Sequence, residues 1–308
     1  MRAVVITRFG GPEVLAVAEL PEPVPGRGEV RIRVAAATVN PTDLALREGR
    51  RRGGVEPPCI PGMELGGVVD AVGPGVATCH AGDRVMAIVL PARRAGGAQA
   101  ELVVVPQGSV APAPDAATLA QAATLPMNGL TARRALDLLD LPAGAILGVT
   151  GAAGAVGGYA VQLGKVAGLR VVADAGPADE DLVRRLGADL VVPRGAGAAA
   201  YRGAVPGGVD GMVDAAVLND GILGAVRDGG GLATLRGFAG PTERGIAIHP
   251  VLVSDYAENR EALLELGRLA QAGALTLRVA RTYPPERAAE AHAALAAGGV
   301  RGRLVIAF

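Results

Sequence analysis

The chain reads as α/β in two parts, a small β-barrel followed by a doubly wound parallel sheet, and three observations predict this. Short β-branched runs separated by Pro-Gly and Gly-Asp turns fill the first third. Beyond Pro112 strands and helices alternate, the pattern of βαβ units. Within that second part, Ala145-Ile-Leu-Gly-Val-Thr-Gly151-Ala-Ala-Gly154-Ala-Val-Gly157 joins an apolar run to three glycines spaced three apart. At 308 residues two domains are expected.

The elements follow in order. Val4-Val5-Ile6, Val30–Val34, Gly66–Val72, Arg84–Ile88 and Leu102–Val105 are the barrel strands, punctuated by Pro25-Gly26, Pro61-Gly62, Pro74-Gly75 and Gly82-Asp83. Helices are expected from Ala116 to Thr124 and from Asn128 to Leu139. A helix from Ala155 to Ala167 follows the glycines, with Gly168 as its C-cap. Next come strand Arg170–Asp174, a helix from Asp179 to Leu186 stopped by Gly187, and strands Leu190–Val192, Gly211–Asp214 and Gly231–Leu235. The tail holds a helix from Glu258 to Ala272, a strand at Leu277–Arg281, a helix over Glu286–Ala297 and a final strand Arg303–Ala307. That last strand is expected to complete the first domain's sheet. The expected domains are therefore 1–115 with 258–308, and 116–257.

Composition narrows the function. The net charge is zero and Trp is absent, which argues against nucleic acid or an anionic membrane as the main partner. Lys165 is the only lysine, a composition bias without functional weight. Cys59 and Cys79 make no disulfide framework. No leader-like or membrane-spanning pattern is evident, so a cytoplasmic protein is expected.

The glycine run carries the clearest chemistry. A strand ending in a tight turn before a helix N-terminus is what a dinucleotide pyrophosphate needs. Gly151 makes the turn, Gly154 lets the backbone approach the phosphates, and Gly157 lets helix pack on strand. The backbone of Gly151, Ala153, Gly154, Ala155 and Val156 is thus the expected phosphate site.

Further phrases carry a resemblance: Phe9-Gly-Gly-Pro-Glu-Val-Leu15, Val39-Asn-Pro-Thr-Asp43, Pro61-Gly-Met-Glu-Leu-Gly-Gly-Val-Val-Asp-Ala-Val-Gly73 and Gly82-Asp-Arg-Val85. Leu125-Pro-Met-Asn-Gly-Leu-Thr-Ala132, the glycine run with Gln162 and Lys165, and Gly298-Gly-Val-Arg-Gly-Arg-Leu-Val305 complete it. Taken end to end, the chain resembles the zinc-independent quinone oxidoreductase (zeta-crystallin-like) branch of the medium-chain dehydrogenase/reductase superfamily. The resemblance implies a GroES-like catalytic domain, a Rossmann domain, a nicotinamide cofactor meeting substrate between them, and a homodimer, here through an edge strand near Ile246–Val253. Zinc-dependent relatives place Cys and then His-Glu where this chain has Asn40, Met63 and Glu64. One carboxylate is too few for zinc, which takes about three protein ligands, so no metal is expected. Cys79-His80 is too small a set to replace it, and Met63 is expected to pack in a core.

The resemblance also assigns residues. Asn40 stands beside the nicotinamide, where its amide can donate to a substrate oxygen or hold the ribose; otherwise it starts a turn before Pro41. Asp43 and Arg47, at helical spacing, are expected to pair. Thr131 matches a position near the nicotinamide. The backbone at Ala215, Gly237 and Phe238 lines that end, and Arg303 matches a basic residue approaching the cofactor, with an exposed edge-strand arginine as the plainer reading. Tyr159 is expected in a core, His249 in a loop and His292 on a helix surface. Tyr201, Tyr256 and Tyr283 show no local partner suggestive of an acid, so the proton is expected from solvent.

Asp174, ending the second strand of the nucleotide half, speaks for NAD(H), since an acid there binds the ribose and repels a 2′-phosphate. Against it, the aligned position is Ala175, and Arg194 falls where zinc-free relatives place a phosphate-contacting Tyr. NADP(H) is favoured over NAD(H). Without a Lewis acid, the favoured reaction is hydride transfer to a small-molecule quinone or α,β-unsaturated carbonyl. The alternatives are a trans-acting enoyl-thioester reductase and a non-catalytic, crystallin-like NADPH-binding protein. The substrate pocket is expected in loops around 40–52, 90–97 and 236–256.

Overall fold

The computed structural model describes residues 1–50, 53–93 and 96–308. The chain divides into two units, Met1–Met127 with Ala257–Ala272 and Leu277–Phe308, and Asn128–Tyr256 with Gly273–Thr276. Parts of two expected pocket loops, at 51, 52, 94 and 95, lie outside the described residues. Residues 116–127 cluster with the first unit rather than the nucleotide half. Their short helix packs on that unit's strands, where Gly66 leaves no room for a side chain: a Cβ there would lie 2.2 Å from the Leu119 carbonyl oxygen.

The first unit is built from β1 (Arg2–Ile6), β2 (Leu15–Glu19), β3 (Glu29–Thr38), β4 (Glu64–Val72), β5 (Arg84–Ile88), β6 (Leu102–Pro106) and β7 (Val110–Pro112). Its early helices are α1 (Pro41–Arg47) and α2 (Leu119–Ala122). Strand β3 organises it. The Glu29–Arg33 end pairs with β6 and the whole strand with β4, and register shifts at Arg31/Ile32 and Val34/Ala36 bend the latter ladder. Val30, Ile32 and Val34 alternate inward onto a core with Leu65, Val69, Val85, Val103 and Val105.

The second unit follows from α3 (Pro126–Leu139), which begins in the first. Strands β8 (Ile146–Thr150), β9 (Arg170–Ala175), β10 (Leu190–Pro193), β11 (Val209–Asp214), β12 (Val226–Leu235) and β13 (Ala247–Val251) form a sheet ordered β10-β9-β8-β11-β12-β13. All its pairs are parallel. Helices α4 (Ala155–Val166), α5 (Glu180–Arg185) and α6 (Gly197–Ala204) supply crossovers. Gly168 follows the last turn of α4 at φ +74 and donates to the Lys165 carbonyl, as expected of a helix-ending glycine. The strand order reverses between β8 and β11, the switch point at which doubly wound sheets bind ligands.

The chain then returns through α7 (Arg260–Gln271), β14 (Val279–Tyr283), α8 (Ala288–Ala297) and β15 (Arg303–Ala307). Strand β15 pairs antiparallel with the Ala36–Thr38 end of β3 and parallel with β14, completing the first unit's sheet. Arg303 is therefore on an interior strand, not an edge. His292, expected on a helix surface, is fully buried on the face that α8 turns to its own unit. Among the described residues no helix is long and apolar enough to cross a membrane.

Candidate functional site

In the nucleotide unit, the glycine turn leaves β8 at the switch point. Gly151 adopts φ +64, and an added Cβ would lie 3.2 Å from the Ala215 carbonyl carbon and the Ala216 nitrogen. At Gly157 a Cβ would fall 2.3 Å from the Gly151 carbonyl oxygen, so helix and turn touch only because no side chain intervenes. Gly154 is the N-cap of α4 and is exposed; Ala155 and Val156 open the helix half-buried. Helix geometry leaves the first N–H groups there without intrahelical acceptors, and the helix dipole favours an anion. These residues fit a dinucleotide pyrophosphate. Ala153 is buried within the turn.

Beside the turn, the Thr150 hydroxyl donates to Asp214 at 2.6 Å and accepts the Ala216 N–H at 3.0 Å, while Asp214 also accepts the Asn219 N–H at 2.7 Å. This lattice fixes the loop that starts at Ala215. After β12, Arg236 and Gly237 both take positive φ, and the Phe238 carbonyl accepts the Thr234 hydroxyl at 2.5 Å. Ala215 and Phe238 are half-buried and Gly237 is exposed; Thr131 is buried on α3.

Asp174 does not project past its strand. It is buried, and Oδ1 accepts the Ala152 N–H at 3.3 Å. Burial pushes its carboxyl up, while the Ala152 and Gly151 N–H groups and Arg194 pull it down. Arg194 is exposed, and its backbone N–H donates to the Ala175 carbonyl at 2.9 Å. Tyr201 donates to the Val149 carbonyl at 2.8 Å. Burial and the Asp174 and Asp214 carboxylates push its hydroxyl well above the ordinary range, so it is no acid.

In the first unit, a buried polar cluster joins β3, β4, α1 and β15. Arg303 Nη2 donates to Asn40 Oδ1 at 2.6 Å and to Thr38 Oγ1 and Glu64 Oε1 at 2.9 Å. The Thr38 hydroxyl donates to the same carboxylate oxygen at 2.6 Å, and the Met127 N–H donates to Glu64 Oε2 at 2.8 Å. Burial raises the Glu64 carboxyl above its usual range against the pull of Arg303 and these donors. Asn40, fully buried, directs its amide nitrogen at Thr38 and Glu64 at 3.1 and 3.4 Å.

Several expectations change here. Arg303 is bound into this cluster rather than displayed at a surface, because β15 inserts between β14 and β3. Asp43 and Arg47 do not pair: Asp43 accepts the Asn40 and Gly62 N–H groups at 2.8 and 3.0 Å, and Arg47 joins Glu48 at 2.9 Å. Burial pushes the Asp43 carboxyl up to about 7. Met63 is half-buried rather than core, its sulfur accepting the Thr42 hydroxyl at 3.1 Å. The expected pocket segment 40–52 is largely helix α1, and Tyr256 finds a partner in Asp137 at 2.8 Å.

Sequence reasoning missed Thr38 and the Glu64–Arg303 pair. The only signal was a Glu and an Arg in otherwise apolar strand patterns.

The fold and site define a class: a GroES-like β unit carrying a buried acid–arginine cluster, and a Rossmann unit with a glycine turn at its switch point. Residues 26–115 match the family described as "Alcohol dehydrogenase GroES-like domain", and 186–306 match "Zinc-binding dehydrogenase". A chloroplast envelope quinone oxidoreductase homolog of Arabidopsis thaliana is 37% identical over 59% of this chain and 57% of its own length. An NADPH-dependent alkenal/one oxidoreductase of the same plant is 32% identical over 78% of this chain and 64% of its own. The chain thus spans less than two thirds of these relatives' length. A crystal structure of an NAD-dependent alcohol dehydrogenase matches with 31% identity over 100% of both chains and a TM-score of 0.88. The chain belongs to the medium-chain dehydrogenase/reductase superfamily, in its quinone oxidoreductase branch.

Zinc, which the second family's description implies, does not fit these residues. The ligand positions hold Asn40, Met63 and Glu64, and the one carboxylate already faces the Arg303 guanidinium at 2.9 Å. A second cation beside it would be repelled. Among the described residues no group of three His, Cys, Asp or Glu side chains can hold a metal.

Proposed function

We propose that this chain is an NADP(H)-dependent, zinc-independent oxidoreductase that delivers hydride to a quinone or an α,β-unsaturated carbonyl. The observation that carries the reading is the buried Glu64–Arg303 pair, which binds to a guanidinium the one carboxylate left among the positions where zinc-dependent relatives carry ligands. An acceptor reduced there needs electronics that tolerate hydride without a Lewis acid. Quinones and enones meet that need, since the incoming charge spreads to an oxygen where a hydrogen bond from water is enough.

When bound, the reduced nicotinamide supplies the hydride; the residues hold and orient it. The N–H groups at Ala155 and Val156, with the backbone of Gly151, Ala153 and Gly154, take the pyrophosphate. Arg194 takes the 2′-phosphate, since an exposed guanidinium is suited to bidentate phosphate contact. The backbone at Ala215, Gly237 and Phe238, together with Thr131, borders the nicotinamide end. Asn40 is held by Arg303 and is read as a support for the cluster rather than a donor to substrate. The proton that completes a hydroquinone or saturated ketone comes from water. The name of the alkenal/one relative supports both NADPH and the enone; the alcohol dehydrogenase likeness supports NAD(H). A homodimer is read through β13, an edge strand of its sheet.

Oxidation of NADPH against quinones, enones and enoyl thioesters tests this, with metal analysis of the same protein. Turnover of quinones or enones that survives chelation is expected. Turnover of thioesters alone moves the chain to the enoyl-thioester reductases, tight NADPH binding without turnover makes it a non-catalytic binder, and stoichiometric zinc refutes the metal-free reading.

A further inference from the structure

An acid that reads the ribose of a dinucleotide has to project past its strand with its oxygens open to the ligand. Asp174 meets neither condition. It is 6% exposed, and its carboxylate accepts the N–H of Ala152 at 3.3 Å, with the Gly151 N–H directed at it too. Its surroundings close it in further. The Asp174 backbone N–H turns to the Tyr201 hydroxyl, itself anchored on Val149, and Arg194 and Asp214 both stand near enough to act on it through charge.

The carboxylate therefore lies beneath the glycine turn, not beside the ligand. The turn has reason to need it. With Gly151 at φ +64, the chain turns out of its strand and the N–H groups of Gly151 and Ala152 face Asp174. Buried backbone donors require an acceptor. Asp174 supplies one from the neighbouring strand.

Past Asp174 the strand end carries no acid. Ala175 is buried, and a Cβ added at Gly176 would meet nothing within 4 Å. Arg194 is exposed at this edge, its backbone N–H on the Ala175 carbonyl at 2.9 Å.

We propose that Asp174 is a positioning residue, which holds the phosphate-binding turn from beneath and is neutral between NADH and NADPH. The choice between them then falls to Arg194. This rests on the unit being a dinucleotide site.

The test titrates NADPH and NADH into the wild type, Asp174→Ala, Asp174→Asn and Arg194→Ala, following nicotinamide fluorescence. The chain has no tryptophan, so the signal is the ligand's own. Asp174→Ala is expected to weaken both dinucleotides by the same factor, about tenfold, the worth of one buried hydrogen bond. Asp174→Asn keeps an acceptor oxygen under the turn and is expected to recover both to within about twofold of wild type. Arg194→Ala is expected to weaken NADPH by about tenfold or more and leave NADH unchanged. Thermal unfolding of the ligand-free proteins should follow the same order, with Asp174→Ala below Asp174→Asn.

A gain of about tenfold for NADPH over NADH in Asp174→Ala would show the carboxylate facing the 2′-phosphate and overturn the proposal, leaving the NADPH reading intact. An Asn variant as weak as the Ala variant would overturn the acceptor role. A wild type that binds neither dinucleotide would overturn the dinucleotide reading, and this proposal with it.

Discussion

Arg303→Met removes the guanidinium that holds Glu64, and the geometry sizes the loss. Nη2 lies 2.9 Å from Glu64 Oε1, an attraction of about 6 kcal/mol at an effective dielectric near 20. Part of this is offset by releasing the guanidinium from its own desolvation, and breaking a buried pair from one side costs about 3–5 kcal/mol. Thr38 and Asn40 each lose a donor as well. The Thr38 hydroxyl and the Met127 N–H remain on Glu64, but they support its charge without cancelling it. A loss of about 3–5 kcal/mol is therefore expected near pH 8, read as a lower urea midpoint at unchanged slope.

The pH dependence has a definite sign. The Glu64 carboxyl already sits above 4.5 in the fold, and without Arg303 it rises further. An acid raised in the folded state is penalised as pH climbs from the unfolded value through the folded one. The deficit of Arg303→Met should thus shrink on acidification towards about pH 4 and be full well above it. Adding Glu64→Gln should restore most of the stability, since no buried charge is then left alone. A loss under about 1 kcal/mol near pH 8, a deficit that grows on acidification, or a double variant no better than the single would refute the reasoning. Weaker NADPH binding at an unchanged urea midpoint would return Arg303 to the cofactor.

Four further outcomes follow from the structure. Asp43, at about 7 in the fold against 3.8, costs stability increasingly as pH rises through that window, so Asp43→Asn should gain on wild type by up to about 4 kcal/mol across it in pH-dependent urea unfolding. His292 behaves oppositely: burial, with Arg47 nearby, pulls it to about 3 from 6.5, and stability is lost as pH falls through that range. Both its ring nitrogens are buried without a partner among the described residues. His292→Leu should therefore unfold at lower pH in an acid titration, with about 5 kcal/mol at stake over the full window. Gly157→Ala places a Cβ 2.3 Å from the Gly151 carbonyl and should lose about 1–3 kcal/mol by thermal unfolding, along with dinucleotide affinity. Gly176→Ala meets nothing within 4 Å at φ −75 and should be neutral or about 0.5 kcal/mol more stable.

Much of the architecture was legible because its causes are local. The run of β3 alternates in and out over a few residues, β4 and β6 are short apolar stretches, and the glycine turn announces itself through glycines at 151, 154 and 157. Helix α6 was not read from the sequence: Gly197-Ala-Ala-Ala-Tyr-Arg-Gly-Ala204 is mostly alanine and glycine, and Tyr201 anchors it on the sheet. Strand β2 is half-exposed and was equally faint.

The cluster around Glu64 shows where local reading ends. Sequence alone put Asn40 and Met63 where zinc-dependent relatives carry Cys and His, because residue identity at a motif position is a short-range fact. It also placed the glycine turn between β8 and α4. Only the tertiary structure decided that Arg303, 239 residues from Glu64 in the chain, meets its carboxylate, because β15 pairs with β3 in a register that sets Val305 opposite Thr38. The orientation of Asp174 beneath the turn and the burial of His292 were decided the same way. A side chain's direction depends on which strand or helix closes over it, and that partner is chosen by packing across the whole unit, not by neighbours in sequence.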